Sequence, residues 1–307
     1  MTLTICIPVY NFDVNELVND LTRQIDNQNL EGVNIVLIDD ASNQTYKSIN
    51  SNLEEKVNRF IYLENNIGRS KIRNLFLNYS KSEYLLFLDC DGKIINENFL
   101  KIYIDFISKM SSDVIYGGRK VSENQPSSNY RLRWRFAVKR ENLPLEVRLR
   151  SPYLDFQTNN FVVKKQVLEQ VPFNENITQY GYEDLIFSRD LKHNKFKIQH
   201  IENPVLNNDV ETNSDFLVKA DHSALSLAQL LGNDDDLERV KNIRLAEAYL
   251  LLKKTGTAGI YSFFYYFTKS TITKILLSGN APLKLLDLYK LGQLIGYMNK
   301  FQSNDRS

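Results

Sequence analysis

Four short runs in the first ninety residues are dominated by apolar residues, and each stops abruptly at polar ones. They read LTICIPVY (3–10), NIVLIDDAS (34–42), NRFIYLENN (58–66) and YLLFLD (84–89). Between them lie ELVNDLTRQI (16–25), with Leu17, Leu21 and Ile25 at helical spacing, and a segment from Ser70 to Tyr79 that reads as a helix. FLKIYIDFISKM (99–110) extends the pattern as a helix and DVIYGG (113–118) as a strand. A strand apolar on both sides must be covered on both faces, so strands alternating with helices predict an α/β fold with a mostly parallel sheet. In such sheets ligands bind beyond the carboxyl ends of the strands. The polar residues collect there: Tyr10 and Asn11 after the first run, Asp39 and Asp40 after the second, Asn66 and Gly68 after the third, Asp89 and Asp91 after the fourth. Four strand ends supplying polar groups to one edge predict one site.

Composition narrows what that site can be. With 307 residues, 43% of them hydrophobic, the chain can bury a full core and a second, smaller domain. Lys plus Arg number 38 against 37 Asp plus Glu, which argues against a nucleic-acid partner. The two cysteines, Cys6 and Cys90, each sit in an apolar run and read as core thiols of a reducing compartment. No basic-then-apolar leader precedes ICIPVY, and TGTAGIYSFFYYFT (255–268) is too short to span a bilayer, so a cytoplasmic location is expected. The turn after the first strand, PVYNFDVNE, has no glycine, which disfavours a dinucleotide site. A nucleotidyltransferase would want a glycine-rich basic loop at the same place.

Asp89 and Asp91 are two apart on an extended chain, so both side chains leave on one side. Crowded carboxylates need a cation, hydrogen bonds or open solvent. A divalent ion bridging them to phosphates is the chemical reading; a solvated turn is the plain one. In NNIGRSKIRN (65–74), Arg69 and Arg73 share a helix face while Lys71 points elsewhere. The pair is placed against phosphates or carboxylates, and Lys71 on a solvated face.

Taken together, IPVYN (7–11), VLIDDAS (36–42), NNIGRSKIRN (65–74), FLDCDG (87–92) and YGYEDLIF (180–187) resemble the family-2 glycosyltransferases, nucleotide-sugar enzymes of Rossmann-like GT-A fold. The resemblance covers about residues 1–215, and its strength lies in five motifs in order. It implies a nucleotide site of Pro8, Tyr10, Asn11, Asp39, Asp40, Asn66, Gly68, Arg69, Arg73, Asp89, Cys90 and Asp91. Tyr10 would stack on uracil, Asp40 or else Asp39 would accept its imide N–H, and the other of the pair would cap the turn. Asp91 would ligate Mn or Mg, and Asp89 the ribose or a metal-bound water. Gly92 would leave room for sugar and phosphates. Asp184 would be the general base on the acceptor hydroxyl, and Glu183 a sugar ligand.

The stretch 119–150 holds nine basic and three acidic residues. RLRWRF (131–136), read as a strand, would set Arg131, Arg133 and Arg135 opposite Leu132, Trp134 and Phe136. FQTNNFVVKK (156–165) reads as a strand carrying Asn159 and Asn160 to the sugar pocket, or as a buried pair satisfying loop backbone. One departure from the family stands in HIENPVLNNDVE (200–211): Asn207 falls where relatives carry a metal-binding histidine. His200, alone in a strand, reads as structural.

From about 216 the strand signals end, and the expectation is two domains, 1–215 and a helical 216–307. Residues 251–300 carry seven lysines and one aspartate. These helices would pack on the catalytic domain or a second protomer, or rest on an anionic membrane. The function read from the sequence is an inverting, metal-dependent transfer of a sugar from a UDP-sugar to a glycan or lipid-linked acceptor. The alternative is a binding module that has kept the fold and lost turnover.

Overall fold

The computed structural model describes residues 2–109, 112–177, 180–207 and 211–304, with side chains to 301. In chain order, the first part runs β1 (Leu3–Val9), α1 (Asn15–Asn27), β2 (Val33–Asp39), α2 (Gln44–Asn50), β3 (Arg59–Tyr62), α3 (Arg69–Tyr79), β4 (Tyr84–Leu88), β5 (Gly92–Ile94), α4 (Phe99–Lys109), β6 (Val114–Tyr116) and β7 (Arg119–Val121). Then follow α5 (Ser128–Phe136), α6 (Leu145–Arg148), β8 (Asn160–Lys164), α7 (Lys165–Gln170), α8 (Glu183–His193), β9 (Ile198–His200) and β10 (Val205–Asn207). Five helices close the chain: α9 (Asn213–Gly232), α10 (Asp234–Val240), α11 (Arg244–Lys254), α12 (Ala258–Leu277) and α13 (Leu283–Asn304). Met110, the last residue of the expected helix 99–110, and 208–210 of the 200–211 stretch lie outside the described residues.

Contacts divide the chain into two compact units. The first comprises Met1–Ser122, Arg140–Thr178 and Glu183–Asp209. Its main sheet has seven strands in the order β3-β2-β1-β4-β8-β6-β9. β1 pairs in parallel with β2 and β4, β2 with β3, and β6 with β9, while β8 runs antiparallel between β4 and β6. Alternation along β1 explains the double coverage. Leu3, Ile5, Ile7 and Val9 join the core formed with α1 and α4, and Cys6 faces the core formed with α3, α7 and α8. β4 divides likewise, with Leu86 and Leu88 on the first side and Leu85 and Phe87 on the second. A small sheet, β5-β10-β7, places Asn207 opposite Gly92.

The second unit comprises Glu123–Lys139, Gln179–Tyr182 and Val210–Ser307. RLRWRF is helical here, within α5, which corrects the strand expected from alternating arginines. The apolar period that matters is four: Leu132 is fully buried and Phe136 packs beside it, Phe136 meeting the Phe216 ring at 5.2 Å. Leu and Arg are good helix formers, so local propensity agrees. The three arginines go different ways. Arg131 bonds Asn280 at 2.6 Å, Arg133 pairs with Glu211 at 3.1 Å and lies over the Phe216 ring, and Arg135 donates to the Ala281 carbonyl. Asn213 ties the unit together, donating to the Ser128 and Leu277 carbonyls and accepting from the Leu132 amide.

Candidate active site

The carboxyl ends of β1, β2 and β4 and the N-terminus of α3 enclose an open pocket of about 380 Å³, within the size range of small-molecule sites, about 300–1,000 Å³. Of the twelve residues expected around a nucleotide, all but Asn11 and Asp39 line it. Val9, Phe12 and Ile72 complete it with apolar wall that the sequence reading missed. An aromatic two residues beyond Tyr10 was the available signal for Phe12.

The two outliers bond within the turns after β1 and β2. Asn11, in the left-handed region at φ 48°, gives its amide to the Ser42 hydroxyl and accepts from the Asn43 amide. Asp39 is buried, and its Oδ1 accepts from the Ser42 amide at 2.7 Å, which caps the turn after β2. Asp40 reaches the other way, accepting from the amides of Ile67 (2.7 Å) and Gly68 (3.1 Å). Asn66 returns a bond to the Asp40 carbonyl. Burial pushes the Asp40 carboxyl above its usual range against the pull of those two amides. Gly68, at φ 82°, has nothing within 4 Å of a notional Cβ; the backbone conformation before α3 is what favours glycine. Tyr10 stands 52% exposed at the mouth, its ring open to a stacking partner.

α3 sends two arginines to the acidic side. Arg73 is buried, 3.0 Å from Asp89 Oδ1 and over the Phe173 ring. Arg69 is half-exposed and pairs with buried Glu183 at 3.2 Å. Lys71 is exposed, as the solvated reading held. Asp91 Oδ2 accepts from Asn207 Nδ2 at 2.7 Å, across the β5–β10 pair. Burial and then repulsion from Asp89 raise the Asp91 carboxyl, while Arg119, Asn207 and Arg69 draw it down. Burial and the two flanking carboxylates push the Cys90 thiol up to about 12, so it stays protonated as part of the wall. A Cβ at Gly92 would sit 3.2 Å from the Asp89 carbonyl and 3.7 Å from Val205, so the fold itself uses that glycine.

Gly181 and Tyr182, both at positive φ, precede α8, which opens with Glu183 and Asp184. Glu183 Oε1 holds Arg69, while its buried Oε2 has no hydrogen-bond partner among the described residues. Burial, then the Glu183 charge, lift the Asp184 carboxyl to about 7, against the Leu185 amide, Arg73 and Arg69.

Asn160 does not reach a sugar pocket. It is fully buried, donating to the Gly118 and Asn203 carbonyls and accepting from Tyr103 at 2.7 Å, so it satisfies loop backbone. Asn159 is buried too, its carbonyl taking the Asp89 amide. His200 is held by the Pro152 carbonyl and Arg148 and meets the Tyr116 ring edge-on. Burial lowers it to about 4, which leaves a neutral structural imidazole.

Among the described residues no cluster of three or more His, Cys, Asp or Glu is arranged to hold a metal. The donor set at β4 still suits a hard divalent cation: two carboxylates side by side, one destabilised by the other's charge. Remaining ligands would have to come from a diphosphate and water.

The family model for glycosyl transferase family 2 matches residues 4–172, more than half the chain. The chain belongs to glycosyltransferase family 2. Its relatives include the poly(ribitol-phosphate) beta-glucosyltransferase of Bacillus spizizenii, 30% identical over 39% of this chain and 19% of that one. Another is the poly(ribitol-phosphate) beta-N-acetylglucosaminyltransferase TarS of Staphylococcus aureus, 34% identical over 38% of this chain and 20% of that protein. The matched segment is thus about a fifth of either relative. Among solved structures, S. aureus TarS 1–349 in complex with UDP-GlcNAc aligns over 99% of this chain and 92% of that one, with a TM-score of 0.53 at 20% identity. The mannosyltransferase PcManGT of Pyrobaculum calidifontis, with GDP-Man and Mn2+, aligns over 99% and 86%, with a TM-score of 0.53 at 16% identity. At such identities the likeness shows the fold of this family-2 chain, which is GT-A.

Proposed function

We propose that this chain transfers a sugar from a UDP-sugar to a hydroxyl of a glycan or lipid-linked acceptor, inverting the anomeric centre. The observation that carries the reading is one pocket uniting Tyr10, Asp40, Arg69, Arg73, Asp89 and Asp91 at three strand ends and a helix N-terminus. Tyr10 supplies a stacking face and Asp40 an acceptor for the base. Arg69 and Arg73 bring positive charge to the diphosphate. Asp89 and Asp91 would hold a divalent cation, whose charge offsets that of the diphosphate. Asp184 takes the acceptor proton; a carboxyl near 7 is matched to that task at neutral pH. Glu183, whose Oε2 has no hydrogen-bond partner among the described residues, is the proposed sugar ligand.

Relatives named for poly(ribitol-phosphate) make a polyol-phosphate polymer a natural acceptor class to try. Two free cysteines agree with a cytoplasmic site of action. The test is a panel of nucleotide sugars scored for nucleotide release, with Mn2+, Mg2+ or chelator. Release from UDP-sugars that stops with chelator supports the reading. Release from no donor with any acceptor would leave a binding module, and release indifferent to cation would remove the metal role of Asp89 and Asp91.

A further inference from the structure

α12 has two unlike faces. Tyr265 and Leu276 are buried in the core of the helical unit, with Tyr261 and Ile272 packed against it. The opposite face carries Ile260, Phe263, Phe264 and Phe267, at the i, i+3, i+4, i+7 spacing of a single stripe. They are 59, 61, 63 and 66% exposed. Phe263 lies 5.8 Å from Phe264 and 5.0 Å from Phe267, whose ring also meets exposed Tyr266 at 5.3 Å. Two turns on, exposed Lys274 and Ile275 continue the same stripe. Ile260 and Phe264 also border an open apolar groove of about 390 Å³ with Leu252 of α11 and Leu288 of α13. A stripe of large apolar side chains this exposed on one helix face marks an interaction site.

Charge identifies the occupant. Between Glu247 and Asp287 the chain has no acidic residue and five lysines, Lys253, Lys254, Lys269, Lys274 and Lys284, all exposed. Lys253 and Lys254 directly follow Leu252 in the groove wall, and Lys274 stands on the stripe itself. A second copy docking by the same face would set these lysines against their own duplicates with no carboxylate in the segment to neutralise them. The surface needs an apolar interior behind an anionic boundary. No helix among the described residues is long and apolar enough to cross a membrane, so contact would be in the interfacial plane.

We propose that the outer face of α12 rests on an anionic lipid bilayer. Ile260, Phe263, Phe264 and Phe267 enter the headgroup boundary, and Lys253, Lys254 and Lys274 meet acidic headgroups. This stands independently of the transferase reading, because none of these residues lines the strand-end pocket.

The test is co-sedimentation of the full chain with vesicles of phosphatidylcholine alone or with about one-third phosphatidylglycerol, at about 0.1 and 0.5 M salt. Binding should require the acidic lipid and weaken as salt rises. Lys254→Gln and Lys274→Gln should each lower the partition coefficient about fivefold. Combined Phe263→Ser, Phe264→Ser and Phe267→Ser should lower it more than about tenfold without a lower melting temperature, since these side chains are already in water. The single lysine variants keep the test decisive if the triple variant does not fold. Equal partition onto neutral vesicles, or none onto acidic ones, overturns the proposal. So does a solution dimer that the triple substitution dissolves.

Discussion

Replacing Asp184 with Asn should make the protein more stable and much less active, and the stability gain should depend on pH in a defined direction. The Asp184 carboxyl stands at about 7 in the folded chain, against an ordinary value of 3.8. Below 3.8 both folded and unfolded chains hold the proton, and the residue is neutral to stability. Between 3.8 and 7 the folded chain keeps a proton the unfolded chain has lost, so stability falls as pH rises. Above 7 the penalty is complete. The distance from 3.8 to about 7 sets its ceiling at about 4 kcal/mol. Asp184 is partly open to solvent, so a measured gain of about 1–2 kcal/mol for Asp184→Asn at pH 8 is the expectation. Asn keeps an oxygen for the Leu185 amide, so no hydrogen bond need be lost. The assay is urea unfolding of both proteins from pH 4 to 8. The difference should be small at pH 4 and widen to a plateau above 7. In parallel, turnover should fall by about 10²- to 10⁴-fold while donor affinity changes little. A variant that is less stable at every pH, or whose gain does not vary with pH, would refute the electrostatic account. Full activity would move the base elsewhere.

Glu183→Gln removes a charge that raises Asp184 and releases Arg69, which lowers it, so the acidic limb of the pH–rate profile should shift to lower pH. An unmoved limb, with each profile normalised to its own plateau, would uncouple the two carboxylates. Asp91→Ala should abolish the dependence of UDP binding on Mn2+ in calorimetry without lowering the melting temperature, because it relieves crowding with Asp89. An unchanged metal response would remove Asp91 as a ligand. Asn160→Ala takes the side-chain donor from the Asn203 carbonyl and the shorter of two bonds from the Gly118 carbonyl and the Tyr103 hydroxyl, and should cost about 1–3 kcal/mol in urea unfolding while the folded protein binds nucleotide normally. Preserved stability with lost sugar affinity would return Asn160 to the sugar pocket.

The parallel strands and their polar ends were legible because both rest on local pattern: unbroken apolar runs, then side chains that cannot be buried in them. The divided duty of Asp39 and Asp40 was half legible. That one would cap the turn followed from their adjacency, but the amides of Ile67 and Gly68 held by Asp40 come from a loop 27 and 28 residues on. The α5 helix misled because arginines at every second position mimic a strand, whereas its fold-determining residues, Leu132 and Phe136, are spaced by four. In the sequence Asn207 stands out only as an asparagine in a histidine's place. Its bond to Asp91 depends on a strand register between residues 116 apart, which no window along the chain contains.

Leu132 and Phe136 also bear on how this protein can be divided. Their packing partners, Phe216 and Leu217 among them, come from the C-terminal helices, yet α5 itself is threaded through the middle of the chain. A chain stopped near residue 215 would therefore expose Leu132 and Phe136, and its loss would be felt well upstream of the cut. A graft that exchanged only the C-terminal helices for those of another protein would face the same mismatch. The heritable module is discontinuous: any swap of this helical region, in the laboratory or in evolution, has to carry residues 123–139 along with it.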